Sequence, residues 1–519
     1  MSMTEIEIGT VVRRDERQAL REIECRAADL PAVCERLFRK LELTFGGLIV
    51  DETSSAWELR YVFYGHGGTG WVHVIVRQPL DQKVFPSITA ALHASDWHER
   101  EAEDLFGLSF DGHPRLGDFI LHDDRWQEGL APMRRSFDGS QPVMHRQPEA
   151  NWRPRRVVRA PGAFVMPVGP KFSGATEPVH FLLETVGEDV IRTYPRLFYK
   201  YRAVEKIAEG QAAASALLLA ERFAATTAFA HALAFSQAIE TVGEIAVPPR
   251  ARTLRILLSE LERLRHHAGA VQEICESTAL VVANSQAAIL EEDLLRLCGA
   301  LTGHRYLFGL AVPGGLSRDF ADDVCRDAAA EVRAIAGRCN RLEEALDRSS
   351  SFLDRLEEVG FVSHSEAREF GLVGPVARAS GVARDLRKMQ PYAGFEEYAF
   401  KVPVEEEGDG YARLRVLFAE IRESAAIIEQ AVTRLTAGPV IVEPAPLPSG
   451  SAMGWVEAPR GAALHWVRLD DRGRVARYRV VTPSFMNWHG FHLAAENFAF
   501  QDFPIILATF DLSVAENDR

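Results

Sequence analysis

The chain has 519 residues, several times the size of a typical domain, so we expect two to four domains and a large buried core. Its 47% of hydrophobic and 25% of charged residues are ordinary for a globular protein. The net charge of -14 excludes a general nucleic-acid binder, which neutralises phosphates with clustered Lys and Arg. The longest apolar runs are too short to span a bilayer, and the N-terminus carries acidic residues where a signal peptide needs a basic start. We therefore expect a cytoplasmic protein.

The first 130 residues alternate short runs typical of strands with runs typical of helices. The strand-like runs are FGGLIVDE, WELRYVFYG and GWVHVIVRQ, and the helix-like runs are LPAVCERLFRKLE and ITAALHASDWHEREAEDLFG. This mixture predicts a compact α/β domain over residues 1–130.

A segment rich in proline and arginine breaks this periodicity over residues 131–163. The simplest interpretation is an irregular connector. The alternative is a basic patch that docks onto an acidic partner surface. Its arginines are Arg134, Arg135, Arg146, Arg153, Arg155, Arg156 and Arg159.

Residues 164–519 form the second predicted domain. Short strand-like pieces come first, and three more, GWVEAPRG, LHWVRLD and VARYRVVT, follow residue 450. Long amphipathic patterns lie between them and predict a helical bundle flanked by strands, so the predicted fold class is α+β. These patterns cover 206–240, 250–278, 281–303, 318–349 and 410–436.

The six cysteines form no CxxC pair, and four of them fall in helix-like stretches where a small buried hydrophobic residue is expected. Any iron-sulfur cluster must therefore belong to a partner. No glycine-rich loop follows a strand, so we do not expect this chain to bind NAD(H) itself.

Two sets of motifs carry a resemblance to known families. The segment SDWHEREAEDLFGLSFDGHPRL (95–116) is similar to the signature of the C subunit of bacterial NADH:quinone oxidoreductase, which is respiratory complex I. The later stretches resemble its D subunit and the large subunits of group 4 nickel-iron hydrogenases of the formate hydrogenlyase and hydrogenase-4 type. The fused C-D arrangement points to that hydrogenase branch. The later stretches are VGPKFSGATEPVHF, PRLFYKYRAVEKIAE, VPPRARTLRILLSELERLRHH, GPVARASGVARDLRKMQPYAGF, KVPVEEEGDGYARLRV and WVEAPRG.

The resemblance implies a small N-terminal α/β domain followed by a bundle like that of a nickel-iron hydrogenase large subunit, with flanking β strands. Catalytic members of that branch hold nickel and iron with four cysteine thiolates, one pair near the start of the bundle and one near the C-terminus. In register with them stand Ala224, Thr227, Ser513 and Glu516. Ala224 has no donor atom, the two hydroxyls ionise too reluctantly, and Glu516 suits only a hard metal. We therefore expect no metal and no hydrogenase chemistry.

Complex I also lacks these cysteines and uses the vacated cavity for a quinone head group, which a loop histidine and a tyrosine contact. The corresponding loop is Gly169-Pro170-Lys171-Phe172, and Arg222 stands near the tyrosine position, so both donors are missing. A hydrogen-bonded core histidine remains the simpler explanation for His231, and a buried arginine partner for Glu205 and Asp385. The resemblance implies these cavity candidates: His180, Tyr201, Glu205, Arg222, His231, Arg378, Asp385 and Asp511.

Three functional hypotheses follow. In the first, the chain is an oxidoreductase-complex subunit, peripherally attached to the cytoplasmic face of the inner membrane. It would join an iron-sulfur subunit like the complex I B subunit to antiporter-like and quinone-channel-like membrane subunits. In the second, it is an active quinone-reducing subunit that binds quinone at a rebuilt head-group site. In the third, it is a structural or assembly protein.

Overall fold

The computed structural model describes residues 10–15, 19–65, 69–122, 126–127, 129–140, 158–159, 161–170 and 177–519. Among these residues, no helix is both long enough and apolar enough to cross a lipid bilayer. Part of the predicted connector and of the predicted loop lies outside the described residues, namely Arg146, Arg153, Arg155, Arg156, Lys171 and Phe172.

The N-terminal region is built on a five-stranded sheet in the order β1-β2-β5-β4-β3. The pair β2-β5 is parallel and the other pairs are antiparallel. The three predicted strands are confirmed as β3, β4 and β5, whose apolar residues pack on both faces of the sheet. The strands are β1 (Thr10–Asp15), β2 (Leu20–Glu24), β3 (Thr44–Glu52), β4 (Ala56–Tyr64) and β5 (Trp71–Pro79).

Two helices and a small parallel strand pair complete this region. The helix predicted to begin at Ile88 is wrong in its first half, because residues 88–92 form no helix and a 3-10 turn over His93–Ser95 precedes α2. The carboxylate of Glu99 accepts hydrogen bonds from the Ile88 amide (2.8 Å) and from the Ser87 hydroxyl (2.5 Å), which holds this stretch as a loop. The elements are α1 (Leu30–Arg39), β6 (Val84–Pro86), α2 (Asp96–Phe106) and β7 (Ser109–Asp111).

An antiparallel sheet and a helical bundle follow. In the bundle, α6 packs against α7 and α13 (Gly410–Thr433), and α8 (Asp322–Leu346) packs against the same two helices. The four long helices predicted after residue 250 are confirmed as α6, α7, α8 and α13. The elements up to the bundle are β8 (Ala163–Val168), β9 (His180–Val186), β10 (Asp189–Arg196), α3 (Val204–Ala208), α4 (Ala213–Arg222), α5 (Ala228–Val242), α6 (Pro249–Ser277) and α7 (Val281–Thr302).

The helix predicted over 206–240 is wrong as a single element, because α3, α4 and α5 divide it. Several short elements also lie between the long helices. Asp409 caps the N-terminus of the long helix α13 by accepting a hydrogen bond from the Ala412 amide at 2.8 Å. These elements are β11 (Ala311–Val312), β12 (Gly315–Leu316), α8 (Asp322–Leu346), α9 (Ser350–Leu353), α10 (His364–Glu369), α11 (Gly374–Ala379), α12 (Leu386–Met389) and α13 (Gly410–Thr433).

The three strands predicted after residue 450 form an antiparallel sheet, on which α5 packs. The close approach requires Gly454, because a Cβ atom there would stand 1.9 Å from the carbonyl oxygen of Ala234. β16 extends the earlier sheet, whose order is β16-β10-β9-β8. The elements are β13 (Gly450–Ala458), β14 (Gly461–Leu469), β15 (Val475–Val481), α14 (Pro483–Ala494), β16 (Glu496–Ala499), α15 (Phe503–Phe510) and α16 (Val514–Asn517).

The N-terminal sheet packs directly against the C-terminal sheet. The rings of Trp71 and Trp455 lie 5.0 Å apart across this contact. Arg468 donates two hydrogen bonds, of 2.6 and 2.9 Å, to the buried carboxylate of Asp51. The domain boundaries proposed at 130 and 163 stay predictions, since most of the connector lies outside the described residues.

We expect Asp51→Asn to lower the free energy of unfolding by about 1–3 kcal/mol, because it removes the charge that Arg468 pairs with at a mostly buried site. Urea unfolding of the full chain measures this. The control is Glu344→Gln, whose side chain is 66% exposed beside Arg348 and which should change stability by less than about 0.5 kcal/mol. Equal unfolding midpoints for the two variants would contradict the role of the Asp51 pair.

Candidate functional site

The helical path is interrupted between α4 and α5, at Ala224 and Thr227. These are the first two of the four positions that align with metal-binding cysteines. Ala224 leaves the helical conformation, with φ -133° and ψ 88°, and α5 begins four residues later. The carboxylate of Glu262 on α6 accepts hydrogen bonds from the amides of Phe229 (2.8 Å) and Ala230 (3.0 Å). These are amides that a continuous helix would satisfy internally, so Glu262 fixes the start of α5. Burial raises the pKa of Glu262 to about 7.

The second pair of positions lies on the C-terminal tail. The tail turns at Asp511, which has a positive φ of 49°, and Ser513 then caps α16. The Ser513 hydroxyl accepts a hydrogen bond from the Glu516 amide at 3.1 Å. Arg202 anchors the same segment by donating to the carbonyl oxygens of Ala515 (3.1 Å) and Asp518 (3.3 Å). The tail is thus held in the interior.

Glu516 joins the two pairs of positions. Its Oε1 accepts a hydrogen bond from the Thr227 hydroxyl at 3.0 Å and lies 3.5 Å from Arg460 Nη1, and its Oε2 accepts from the Ser484 amide at 3.2 Å. Although burial alone would raise the pKa of Glu516, the nearby His231 and the charge of Arg460 lower it to about 2. The carboxylate is therefore ionised at neutral pH.

Arg460, in the turn between β13 and β14, also holds Asp511. Its Nε donates to the Asp511 carbonyl oxygen at 2.5 Å, and its Nη2 donates to the Asp511 carboxylate at 3.1 Å. Asp511 lies 3.4 Å from Nδ1 of His266 on its other side. Burial raises the pKa of Asp511 to about 7, while burial and the neighbouring guanidinium groups lower the pKa of His266 well below its usual value.

His231 belongs to a short buried hydrogen-bond chain. Its Nδ1 lies 3.0 Å from Nε2 of His465, whose Nδ1 lies 2.7 Å from the hydroxyl of Tyr478. Its Nε2 is 3.9 Å from Glu516 Oε1, beyond hydrogen-bond distance, and has no partner among the described residues. Burial and the adjacent His231 lower the pKa of His465 well below its usual value. This series of hydrogen bonds thus ends at His231 Nε2, a nitrogen without a hydrogen-bond partner that lies near Glu516.

Arg378 and Asp385 lie in a separate buried ionic network. Arg378 pairs with Glu420 at 2.6 Å and with Glu457 at 2.7 Å, and Asp385 pairs with Arg387 at 2.6 Å. All of these side chains are fully buried or nearly so. Asp385 also caps α12 by accepting a hydrogen bond from the Arg387 amide. Neither residue has a hydrogen bond or ion pair to Glu516 or Asp511 among the described contacts.

Tyr201 and Glu205 form a third group. Glu205 accepts hydrogen bonds from Arg479 (3.3 Å) and Arg519 (3.4 Å), so its expected arginine partners are present. The hydroxyl of Tyr201 is buried and has no hydrogen-bond partner among the described residues. Burial and the charge of Glu205 raise the pKa of the Tyr201 hydroxyl.

His180 and Arg222 do not join these groups. His180, at the start of β9, is within 3.3 Å of the hydroxyl of Tyr199. Arg222, at the end of α4, has a side chain that is 57% exposed and lies beside Glu221 and the ring of Phe308. Among the described residues, the eight candidates therefore do not form one hydrogen-bonded cluster. The candidates are spread over three buried groups and the surface.

The donors at the four metal-ligand positions do not fit a nickel-iron centre, because they include no thiolate. All six cysteines are free thiols elsewhere in the chain, and five of them are buried. Within the described residues, no group of three or more His, Cys, Asp or Glu side chains is arranged to hold a metal ion.

Comparison with known proteins assigns two family regions to the chain. Residues 23–143 match the model of the respiratory-chain NADH dehydrogenase 30 kDa subunit. Residues 285–447 and 441–519 match that of the 49 kDa subunit. The chain is 30% identical over 504 residues to formate hydrogenlyase subunit 5 of Escherichia coli (strain K12), and the alignment covers 94% of this chain and 87% of that protein. The chain belongs to the fused 30 kDa–49 kDa complex I subunit family.

Two further relatives in this family carry the names of a hydrogenase and of an NADH-quinone oxidoreductase. Hydrogenase-4 component G of Escherichia coli (strain K12) is 28% identical, with 86% of this chain and 78% of that protein covered. The fused C/D protein of the NADH-quinone oxidoreductase of Acinetobacter baylyi is 27% identical, with coverage of 84% and 80%. The family and the α+β fold expected from the motifs are confirmed.

Several residues of the site were not singled out from the sequence. Arg460 and His266 lie inside motifs that carried the resemblance, WVEAPRG and the stretch ending in RHH, so their positions were signalled but their partners were not. His465 and Tyr478 lie in strands that alternate like any buried sheet. Only the fold brings them to His231.

The pKa of Asp511 predicts a pH dependence. The folded chain holds a proton on Asp511 that an unfolded chain releases near pH 4, so this contribution to stability is full below that pH and is lost as pH rises through about 7. Asp511→Asn is neutral throughout. Relative to wild type, its free energy of unfolding should rise by about 1–3 kcal/mol between about pH 5 and pH 8.

Urea unfolding at several pH values measures this difference. Glu262 titrates near the same pH but is present in both proteins, so its effect cancels. The matched control is Asp471→Asn in an exposed turn, which should run parallel to wild type. A constant difference between Asp511→Asn and wild type across this range would show that Asp511 is not protonated in the fold.

Proposed function

We propose that the chain is a subunit of a membrane-associated complex I-like or hydrogenase-4-like oxidoreductase assembly, without nickel-iron chemistry of its own. One observation carries the second half of the proposal. Of the four positions where thiolates would hold the metals, Ala224 has no donor atom, and Thr227 and Ser513 both contact Glu516, which also pairs with Arg460. Glu516 uses both of its hard oxygen donors for protein partners, and none of the four positions supplies a soft thiolate.

The family match supports the first half. The relatives are named as parts of NADH-quinone oxidoreductase, formate hydrogenlyase and hydrogenase-4, and they align over most of both chains. We propose that this chain likewise couples an iron-sulfur partner, similar to the complex I B subunit, to a membrane arm of antiporter-like and quinone-channel-like subunits. Attachment to the cytoplasmic face of the membrane would then come from those partners.

The test is isolation of the native assembly through an affinity tag on this chain. We expect iron-sulfur and membrane subunits to copurify, and elemental analysis to find iron without stoichiometric nickel, because the thiolate ligands are absent. Iron serves as the internal control that the assembly is intact. One nickel per chain would overturn the proposal, and a chain that purifies alone would favour a structural or assembly role.

A quinone-reducing role is the second candidate, and two orphaned atoms favour it. The Tyr201 hydroxyl and His231 Nε2 are both buried without a hydrogen-bond partner among the described residues. Burying such groups unpaired is costly, and both are suitable donors to a carbonyl oxygen of a bound head group. In this role the two side chains would orient the quinone, which supplies the redox chemistry.

Substitutions at these donors separate the two candidates. If the chain reduces quinone, Tyr201→Phe and His231→Gln should each lower quinone reduction by the whole assembly by at least about tenfold with normal assembly yield. If it does not, Tyr201→Phe should change neither property, because it removes only an unpaired hydroxyl. His231→Ala should then lower stability by about 1–3 kcal/mol through the unpaired His465.

The third candidate donor, His180, is tested by His180→Gln in the same assay. Tyr199→Phe is the control, because it removes a hydroxyl next to His180 while leaving Tyr201 intact. Normal assembly combined with loss of quinone turnover in the Tyr201 or His231 variant would establish the second candidate over the first.

A further inference from the structure

A cavity of about 270 Å³ lies where the N-terminal domain meets the C-terminal part of the chain. One wall comes from α2 and from the loop 114–119, and the other comes from the end of β10 and from α14. It adjoins the tail site through Trp488, which donates to the Ser513 carbonyl oxygen at 3.3 Å, but none of its lining residues contacts the Glu516 or Asp511 carboxylate in the described hydrogen bonds and ion pairs. Residues of two family motifs, 95–116 and 195–209, line it, but the proposed function assigns it no role.

The lining of this cavity is predominantly basic. Its carboxylates are Asp96 and Asp118, and both have cationic or imidazole neighbours. Asp96 lies 3.2 Å from His113 and 3.4 Å from His489, and Asp118 lies 3.4 Å from Arg196. The guanidinium groups that line the cavity outnumber these carboxylates and belong to Arg100, Arg115, Arg192 and Arg196.

Aromatic rings hold two of these guanidinium groups in place. Arg100 lies over the ring of Phe119 at 4.3 Å, and Arg115 lies over the ring of Tyr194 at 5.0 Å and donates to its hydroxyl at 2.9 Å. Stacked guanidinium groups lose little freedom when they bind an oxyanion. Arg100 is only 4% exposed, yet its Nε has no hydrogen-bond partner among the described residues.

His492 adds no charge of its own to the cavity at neutral pH. The pKa of His492 is lowered to about 4, chiefly by burial and then by His489 and Arg192. The positive charge that an anion would offset is therefore that of the four guanidinium groups.

We propose that this cavity binds a small organic oxyanion, a carboxylate or a phosphate ester with a flat apolar body. The guanidinium groups match the oxyanion, and the rings of Trp97, Phe119 and Phe198 match the apolar body. The volume corresponds to roughly nine water molecules at about 30 Å³ each, which limits the ligand to about ten non-hydrogen atoms. The ligand contacts both family regions, so it stabilises their association.

Benzoate and phenyl phosphate are the probes, and benzyl alcohol is their neutral counterpart with the same ring. Calorimetric titration and thermal unfolding of the full chain should show binding of at least one anion, with a raised unfolding temperature, and no binding of the alcohol. The two anions distinguish a carboxylate ligand from a phosphate ligand.

The variant Arg115→Gln/Arg192→Gln should weaken the binding of that anion by at least about tenfold. The control is Arg348→Gln, which removes the charge of a side chain that is 80% exposed and should bind the anion like wild type. The unfolding temperature without ligand shows that each variant is folded. The proposal is overturned if wild type binds neither anion, if the alcohol binds equally well, or if the double variant binds like the control.

Discussion

One buried carboxylate, that of Glu516, determines how the elements around the C-terminal tail meet. An ionised carboxylate in the interior is costly unless charges and hydrogen-bond donors surround it. Those donors come from the start of α5 (Thr227), the β13–β14 turn (Arg460) and the start of α14 (Ser484). Because they are far apart in sequence, satisfying one charge requires that all these elements and the tail be in place together.

This requirement explains how the scaffold persists without thiolates. In the catalytic relatives that the motifs resemble, a metal centre would tie the start of the bundle to the tail. Here the hydrogen bond between Thr227 and Glu516 joins the same two places, and Arg460 reinforces it through Asp511. Under the proposed function, this hydrogen-bond cluster would fill the structural role of such a centre and not its redox role, which needs soft ligands.

The periodicity of apolar residues along the sequence predicted the elements whose conformation depends on neighbouring residues. The periodicity of α6 and α13 and the alternation of β13–β15 located them correctly, whereas the predicted helices over 88–95 and 206–240 failed. At both places a glutamate carboxylate accepts hydrogen bonds from backbone amides and so prevents a continuous helix. Glu99 binds the amide of Ile88 in a loop, and Glu262 binds the amides that begin α5. The four ligand positions followed from flanking motifs, but only the fold joins Arg460 to Thr226 and His465 to His231, since each pair is more than 200 residues apart.

Helix α6 connects the tail to the core of the bundle through two adjacent residues. His266 faces Asp511 of the tail, and His267 lies 2.8 Å from Glu420, which pairs with Arg378. The two imidazole rings are 5.9 Å apart, and burial lowers the pKa of both. Neutral rings between two charged clusters let each cluster satisfy its own charges without adding another buried cation. A shift of α6 that shortened the contact of one histidine would lengthen the contact of the other. The position of this helix is therefore fixed by Asp511 and Glu420 together.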